Sequence, residues 1–251
     1  MTRLSSAFLT RPIAHRGLHN KAEGVIENSP SAFAAAIAAG YPIELDLQLS
    51  RDGVPMVFHD ETLNRLTNET GAVRARDAAE LETITLKGGT DRIPTLVRML
   101  EQVNGAVPLL IELKDQHGEM GETDGVLEQA ALGVLKNYAG PFALMSFNPS
   151  MVAKVAELSP DTPRGIISSA WRKIDEPHVP VDRRAELAAI PDFEEIGADF
   201  LSHDHTNLDA PRVEQLKARG VPILCWTIRS PEQERMARKV ADNITFEGYT
   251  A

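Results

Sequence analysis

Acidic side chains share one face of two predicted strands. In the first strand Glu44 and Asp46 alternate with apolar residues, and in the second Glu112 and Lys114 do so. Because alternate side chains of a strand point to the same face, each pair points together. Three carboxylates that converge from two strands would offer oxygen ligands suited to Mg²⁺ or Ca²⁺, with an ammonium group beside them. Two simpler interpretations stay open: a solvated strand face for the first pair, and an intrastrand ion pair for the second.

Histidines end two other strand candidates. His15 is followed by Arg16, and His59 by Asp60, with the first pair of carboxylates encoded between them. A single histidine is more often structural than catalytic, but imidazole, with an unperturbed pKa of ~6.5, can give and take a proton near neutrality. Phosphodiester cleavage needs a base to activate the nucleophile and an acid to protonate the leaving oxygen. A forked guanidinium could contact the phosphoryl oxygens. The pattern therefore favours acid–base chemistry on a phosphate ester.

Strand and helix candidates alternate along most of the chain, which predicts a parallel α/β sheet. The strand candidates lie near 12–15, 42–49, 54–58, 107–113, 141–146, 163–167, 197–201, 221–226 and 242–246. The helix candidates lie near 30–39, 94–104, 122–138, 149–158, 209–219 and 231–239, with a weaker one at 183–190. Ser29 can cap the first helix, Pro30 suits its first turn and Gly40 suits its end.

Nine strand candidates are one too many for an eight-stranded barrel. Only residues 50–53, which end in Asp-Gly, separate the candidates at 42–49 and 54–58, and so short a connection predicts an antiparallel hairpin. We therefore assign 54–58 to a small insertion, at about 47–93, between the second strand and the second helix. Residues 1–251 then form a single α/β domain, a (β/α)8 TIM barrel, whose polar side chains point inward near the carboxyl ends of the strands. A doubly wound open sheet is the main competing architecture.

Composition limits the class of protein. The chain has 251 residues, of which 43% are hydrophobic and 25% charged, as in an ordinary globular protein, and its single cysteine excludes an intramolecular disulfide. No apolar run reaches the ~20 residues of a membrane span, and residues 1–12 contain no signal-peptide core. The net charge of −10 argues against nucleic-acid binding. We expect a cytoplasmic protein without stable membrane insertion, and the sequence predicts no oligomeric state.

Together these residues resemble the glycerophosphodiester phosphodiesterase family, and the matching motifs keep the family's order over most of the chain. The first motifs are His15-Arg16-Gly17, Glu27-Asn28-Ser29 before Ala32-Phe33, and Glu44-Leu45-Asp46-Leu47. The next are Asp52-Gly53 and Val57-Phe58-His59-Asp60, followed by Leu63, Arg65, Thr67-Asn68 and Gly71. The later motifs are Ile93-Pro94-Thr95-Leu96, Ile111-Glu112-Leu113-Lys114, Ser146-Phe147-Asn148 and Trp226-Thr227. Each motif is short, but their order and spacing make the match specific.

The resemblance implies a (β/α)8 barrel with a small insertion after the second strand, in agreement with the strand count. It also implies hydrolysis of a small phosphodiester, such as glycerophosphocholine or glycerophosphoethanolamine, to sn-glycerol 3-phosphate and an alcohol, with one divalent metal ion, Mg²⁺ or Ca²⁺. By position it implies metal ligands at Glu44, Asp46 and Glu112, an acid–base pair at His15 and His59, phosphate contacts from Arg16 and Lys114, and a pocket lined by Phe147 and Trp226. For the two aromatic residues, core packing is an equally good interpretation.

The sequence departs from the family pattern outside the metal and histidine positions. Ile26 replaces the usual proline before the Glu-Asn motif, and the loop 18–25 has its own sequence. Arg229 replaces an asparagine that often follows Trp-Thr, and residues 242–247 differ from the family's last strand. Because such loops determine the specificity of a barrel enzyme, the alcohol moiety stays open. A related phosphodiesterase that acts on lysophospholipids or sugar phosphodiesters is the nearest alternative.

Three further interpretations are weaker. A non-catalytic binding barrel predicts the loss of a histidine or a carboxylate, and all five are present. A metal-dependent amide hydrolase typically has His-x-His on its first strand, where this chain has Gly17 in place of the second histidine. His203 and His205 could bind a second metal ion, but nothing in the family resemblance supports it. Cys225 is expected to pack in its strand and to be inert.

Overall fold

The structure, a computed structural model, describes residues 4–172 and 179–251. Its strands are β1 (Ile13–Ala14), β2 (Ile43–Leu49), β3 (Pro55–Val57), β4 (Leu109–Leu113), β5 (Phe142–Ser146), β6 (Arg164–Ser168), β7 (Phe200–Asp204), β8 (Ile223–Ile228) and β9 (Asn243–Phe246). Its helices are α1 (Pro30–Ala39), α2 (Ala78–Leu81), α3 (Leu96–Val103), α4 (Val126–Leu135), α5 (Pro149–Leu158), α6 (Val181–Ala189), α7 (Pro211–Ala218) and α8 (Pro231–Ala237).

Parallel pairing follows the order of the strands along the chain. β2 pairs in parallel with β1 and with β4, and β5 to β9 pair in parallel one after another. A doubly wound sheet would instead reverse its strand order near the middle. The predicted fold is confirmed: it is an eight-stranded parallel (β/α)8 barrel of the TIM type, with β3 as an extra strand beside β2.

The described residues fall into two compact units. The first unit contains residues 13–114 and 125–142, and the second contains 115–124, 143–251 and the described part of the first twelve residues. Every predicted metal, histidine and phosphate position lies in the first unit, whereas the two predicted aromatic positions lie in the second. The assignment of residues 1–251 to a single domain stays a prediction.

The predicted hairpin joins β2 to β3. These strands are antiparallel, with Leu47 opposite Val57, and Gly53 has a left-handed φ of 81° in the turn between them. The insertion then packs around a hydrophobic cluster to which one residue from before α1, Ile26, also contributes. The other members are Met56, Phe58, Leu63, Leu66, Val73, Ala78, Leu81, Ile84, Leu86 and Ile93. This cluster fixes the segment that carries His59, which comes directly after Phe58.

The predicted helix signals are present at the ends of α1. Ser29 Oγ accepts a hydrogen bond from Ala32 N at 3.2 Å, Pro30 occupies the first turn, and Gly40 closes the helix with a left-handed φ of 71°. Within the described residues, no helix is both long enough and apolar enough to cross a membrane.

Candidate active site

Three carboxylates converge where β2 pairs with β4. The parallel register sets Asp46 opposite Glu112, and every residue of both strands is buried. Glu44, Asp46 and Glu112 are 2%, 1% and 7% exposed, and one oxygen from each lies within 4.8 Å of the others. The solvated strand face considered for Glu44 and Asp46 is therefore wrong, and the two acidic strands form one buried cluster.

Burial and mutual repulsion act unequally on the three carboxyl groups. Burial raises the pKa of Glu44 well above its usual value, and the charges of Asp46 and Glu112 add to the rise. Burial likewise raises the pKa of Glu112, although Lys114 opposes it. At Asp46, Lys114 and other nearby basic groups outweigh the effect of burial, so the pKa falls well below its usual value. The cluster thus contains one firmly ionised carboxylate and two that a further cation would help to ionise.

The ammonium group of Lys114 forms ion pairs with two of the three carboxylates. Its Nζ is 2.8 Å from Asp46 Oδ1 and 2.5 Å from Glu112 Oε1. The intrastrand ion pair with Glu112 is therefore present, and it extends to β2. Although burial acts to lower the pKa of Lys114, these two carboxylates outweigh that effect and raise it. The predicted phosphate contact is thus placed within the acidic cluster and stays charged.

A tight turn after β1 carries His15 and Arg16. Arg16 and Gly17 have left-handed φ angles of 54° and 79°, and a Cβ added at Gly17 would lie 2.9 Å from the backbone of Ala32. The turn brings Arg16 N to 2.9 Å from Glu44 Oε2, and His15 Nε2 to 3.9 Å from the same oxygen. A strained arginine and a glycine without room for a side chain therefore hold His15 beside Glu44.

The guanidinium of Arg16 reaches over the acidic cluster. Its Nη1 donates to Glu27 Oε1 at 2.5 Å, and its Nε lies 3.4 Å from Asp46 Oδ2. That Nε is buried and has no hydrogen-bond partner within the described residues. A buried guanidinium N–H without an acceptor can donate to an anionic ligand.

Asn28 fixes Asp46 from a second strained position. It is buried and has a left-handed φ of 54°. Its Nδ2 donates to Asp46 Oδ2 at 2.8 Å, while its Oδ1 accepts from Asp46 N at 3.3 Å. Its own backbone N donates to the Arg16 carbonyl at 2.9 Å. Asn28 thus ties the turn that carries Arg16 to the carboxylate of Asp46.

His59 follows β3 and is held at its backbone and at its ring. Gln48 Nε2 donates to the His59 carbonyl at 3.1 Å, and the ring Nδ1 lies 2.7 Å from Asp60 Oδ1. Because an ionised carboxylate only accepts hydrogen bonds, Nδ1 carries the hydrogen and Nε2 is the nitrogen that can exchange a proton. The ring is partly exposed, as a group that must reach a substrate has to be.

The two predicted aromatic positions form a cluster in the second unit. Phe147 packs against Trp226 with ring centroids 5.3 Å apart and against Trp171 at 5.7 Å. Trp226 Nε1 donates to the Ser202 carbonyl at 3.1 Å. Phe147 and Trp226 are both only partly buried, which argues against core packing as their sole role. That they line the substrate pocket stays a prediction.

His203 and His205, considered above as ligands of a second metal ion, do not belong to a group of three possible metal ligands within the part of the chain that the structure describes. The single group of three possible metal ligands there is Glu44, Asp46 and Glu112. His203 is buried, and burial lowers its pKa to about 4. Cys225 is buried as expected, and burial raises the pKa of its thiol to about 12.

The structure adds polar partners to which the sequence assigned no role. Glu27, Asn28, Asp60 and Arg65 all stand in motifs quoted for the family resemblance, which was the only signal for them. None of their contacts lies along one helix or one strand, so no helical or strand spacing predicts them.

Known proteins are similar to this chain over nearly its whole length. The sequence model of the glycerophosphoryl diester phosphodiesterase family matches residues 15–243. A glycerophosphodiester phosphodiesterase of Caldanaerobacter subterraneus subsp. tengcongensis is 29% identical over 245 residues, covering 94% of this chain and 93% of the relative. A phosphodiesterase of Oleispira antarctica, solved in complex with the product sn-glycerol-3-phosphate, has a TM-score of 0.76 and 26% identity, covering 96% of this chain and 94% of its own. A glycerophosphodiester phosphodiesterase of Thermotoga maritima has a TM-score of 0.70 and 23% identity over 94% of each chain.

Proposed function

The chain belongs to the glycerophosphoryl diester phosphodiesterase family, and on that premise we propose that it hydrolyses glycerophosphodiesters to sn-glycerol 3-phosphate and an alcohol. The observation that carries the proposal is the convergence of His15 and Arg16 on the buried cluster of Glu44, Asp46 and Glu112. The product bound to the similar phosphodiesterase of Oleispira antarctica supports the choice of sn-glycerol 3-phosphate.

The donor set fits one divalent metal ion, Mg²⁺ or Ca²⁺, held by Glu44, Asp46 and Glu112. Three carboxylate oxygens within 4.8 Å match the oxygen preference of both ions. When all three carboxyl groups are ionised they outnumber Arg16 and Lys114, the cationic side chains that contact them, and a divalent ion would favour that ionised state. When bound, such an ion supplies positive charge that stabilises the phosphoryl oxygens.

Arg16 is the proposed phosphate anchor. Its buried Nε lies 3.4 Å from Asp46 Oδ2 but makes no hydrogen bond within the described residues, so it can donate to a phosphoryl oxygen that binds beside Asp46. The ammonium of Lys114 adds positive charge to the same region from β4. Together they attract an anionic phosphate into a cluster that is otherwise acidic.

His15 and His59 are the proposed acid–base pair. One imidazole removes the proton from the nucleophile and the other protonates the leaving alcohol oxygen. Asp60 fixes the tautomer of His59, so that Nε2 exchanges the proton. Water and the substrate's own neighbouring glycerol hydroxyl are both candidate nucleophiles. With water, one such pair of proton transfers gives sn-glycerol 3-phosphate and the alcohol. With the hydroxyl, the first pair releases the alcohol and leaves a cyclic phosphate, and a second pair is needed when water opens that ring to sn-glycerol 3-phosphate.

The proposal is tested by measuring sn-glycerol 3-phosphate released from glycerophosphocholine and glycerophosphoethanolamine by the purified chain with Mg²⁺ or Ca²⁺. We expect release from at least one of them. If only lysophospholipids or sugar phosphodiesters are cleaved, the family reaction stands but the proposed substrate is wrong. If folded protein cleaves none of these compounds, the proposed hydrolysis is wrong.

A further inference from the structure

Arg65 lies between two acidic side chains that come from different loops. Its Nε and Nη2 donate to the two carboxylate oxygens of Asp60 at 2.7 and 2.8 Å. Its Nη1 and Nη2 donate to the two carboxylate oxygens of Glu27, both at 2.8 Å. One planar guanidinium therefore grips two carboxylates in bidentate fashion, the strongest and most directional form of this pairing.

Each of these carboxylates also holds a group of the proposed active site. Glu27 Oε1, which accepts from Arg65, also accepts from Arg16 Nη1 at 2.5 Å. Asp60 Oδ1, which accepts from Arg65, also lies 2.7 Å from His59 Nδ1. A continuous chain of hydrogen bonds thus runs from the phosphate anchor to one of the two histidines.

The basic groups of this network keep its two carboxylates ionised. Burial acts to raise the pKa of Glu27, but Arg65 and Arg16 outweigh it and lower the pKa to about 2. Burial also acts to raise the pKa of Asp60, and hydrogen bonds from His59 and Arg65 outweigh it and lower the pKa. Both carboxylates therefore stay ionised and remain pure acceptors near neutral pH.

We propose that Arg65 is a positioning residue: by clamping Glu27 and Asp60 it fixes Arg16 for phosphate binding and His59 in its proton-exchanging tautomer. The inference rests on the proposed function. Arg65 itself is 47% exposed at its side chain, and within the described residues it makes no hydrogen bond or ion pair with Glu44, Asp46 or Glu112. It acts through its two carboxylate partners, so a lysine, which offers a point charge in place of a planar fork, cannot replace it.

If the role of Arg65 were purely structural, it would only hold the loop of Glu27 against the insertion, and its loss would lower stability without a specific loss of activity. Arg51 offers a matched control, because it makes a similar bidentate pair with Asp77, at 2.8 and 2.6 Å, elsewhere in the insertion. In the part of the chain that the structure describes, neither Arg51 nor Asp77 makes a hydrogen bond or ion pair with a predicted site residue. Arg51→Ala therefore removes a bidentate ion pair with one carboxylate, more exposed than the pairs of Arg65, and leaves Arg16 and His59 with all their partners.

The test compares steady-state kinetics of sn-glycerol 3-phosphate release for wild type, Arg65→Ala, Arg65→Lys and Arg51→Ala. We expect kcat/KM to fall about 10–100-fold in both Arg65 variants, as when an outer partner of a site is lost. Both a lower kcat, through His59, and a higher KM, through Arg16, should contribute. Arg51→Ala should stay within about twofold of wild type, as for most surface substitutions. Added guanidinium should restore activity to Arg65→Ala and leave Arg51→Ala unchanged.

Melting temperatures separate positioning from folding. If Arg65→Ala melts well above the assay temperature and still loses the activity that Arg51→Ala keeps, the clamp is supported. If both Arg65 variants turn over like Arg51→Ala, or if guanidinium restores nothing to folded Arg65→Ala, the clamp is wrong while the proposed function stands. An inactive wild type would overturn the proposed function itself, and the clamp with it.

Discussion

At the scale of single residues, the two proposed acid–base groups are held by different partners. His15 Nε2 lies 3.9 Å from Glu44 Oε2, whereas His59 Nδ1 lies 2.7 Å from Asp60 Oδ1. His15 therefore lies beside a carboxylate of the acidic cluster, whereas the ring of His59 is oriented by Asp60, which does not belong to that cluster. Such unequal surroundings suit two groups that carry out opposite proton transfers.

Replacing either histidine should lower kcat by roughly 10²–10⁴-fold, because each proton transfer then lacks its positioned group. The measurement is the rate of sn-glycerol 3-phosphate release by purified His15→Ala and His59→Ala. His117→Ala is the matched control, since His117 is exposed and pairs with Asp124. Near-normal turnover in either folded variant would remove that histidine from the mechanism.

Glu27 links acidity to stability. Its pKa falls from 4.5 to about 2 on folding, so its contribution is present above pH 4.5 and is lost as the pH falls towards 2. We expect the free energy of unfolding, from urea titrations, to decline across that window. In Glu27→Gln the decline should be smaller, by up to about 3 kcal/mol, with a remainder from Asp60. An equally steep decline in the variant would show that Glu27 does not carry this linkage.

Residue chemistry was predictable from sequence only where one strand sets the geometry. The alternation of Glu44 with Asp46, and of Glu112 with Lys114, predicted shared faces, and the structure places the four side chains together. The roles of Asn28 and Arg65 were not predictable, because Asn28 pairs with Asp46, 18 residues away, and Arg65 pairs with Glu27, 38 residues away. Such contacts depend on how the loops pack, which no local period encodes.

At the scale of elements, the turn after β1 depends on Gly17. A residue with a side chain there would pay for a left-handed backbone and would also crowd Ala32. Gly53 has a similar φ of 81° but nothing within 4 Å of an added Cβ. Comparing alanine substitutions at the two glycines therefore distinguishes the cost of a left-handed backbone, present at both, from the cost of crowding, present only at Gly17.

Gly17→Ala should destabilise the protein by more than Gly53→Ala. The left-handed backbone alone costs roughly 1–2 kcal/mol in either variant, and crowding adds about 1–3 kcal/mol at Gly17. Chemical denaturation of both variants measures the difference, and the activity of Gly17→Ala should fall with its stability because the turn carries His15 and Arg16. Equal destabilisation would mean that the backbone of Ala32 yields without cost.

Element types were easier to predict than element ends. The hairpin of β2 and β3 was expected from the Asp-Gly connection and is present. The helix expected at 122–138 is shorter, Val126–Leu135, and it begins only after Gly125, which has a left-handed φ of 77°. The four-residue helix α2, which begins with a capping box of Asp77 and Glu80, was not expected, since so short a helix has too few apolar positions to show a period.

At the scale of the whole molecule, an acidic protein is proposed to bind an anionic phosphodiester. The net charge of −10 repels such a substrate at long range. Arg16 and Lys114 supply local positive charge, and a divalent ion at the three carboxylates would add more. The barrel follows from the order of strands and helices along the sequence, whereas the alcohol specificity does not, because it depends on loops that differ from the family pattern.

The most direct test of the central claim is release of sn-glycerol 3-phosphate from glycerophosphocholine by protein stripped of metal with a chelator and then supplied with Mg²⁺, Ca²⁺ or Mn²⁺. We predict that stripping abolishes release and that at least one ion restores it. Glu44→Gln keeps the shape of the side chain and removes a ligand charge. At the same ion concentration, the restored rate of sn-glycerol 3-phosphate release should be at least about 100-fold lower in this variant than in wild type. Undiminished release in excess chelator, or full restoration in Glu44→Gln, would contradict a carboxylate-held metal ion in this reaction.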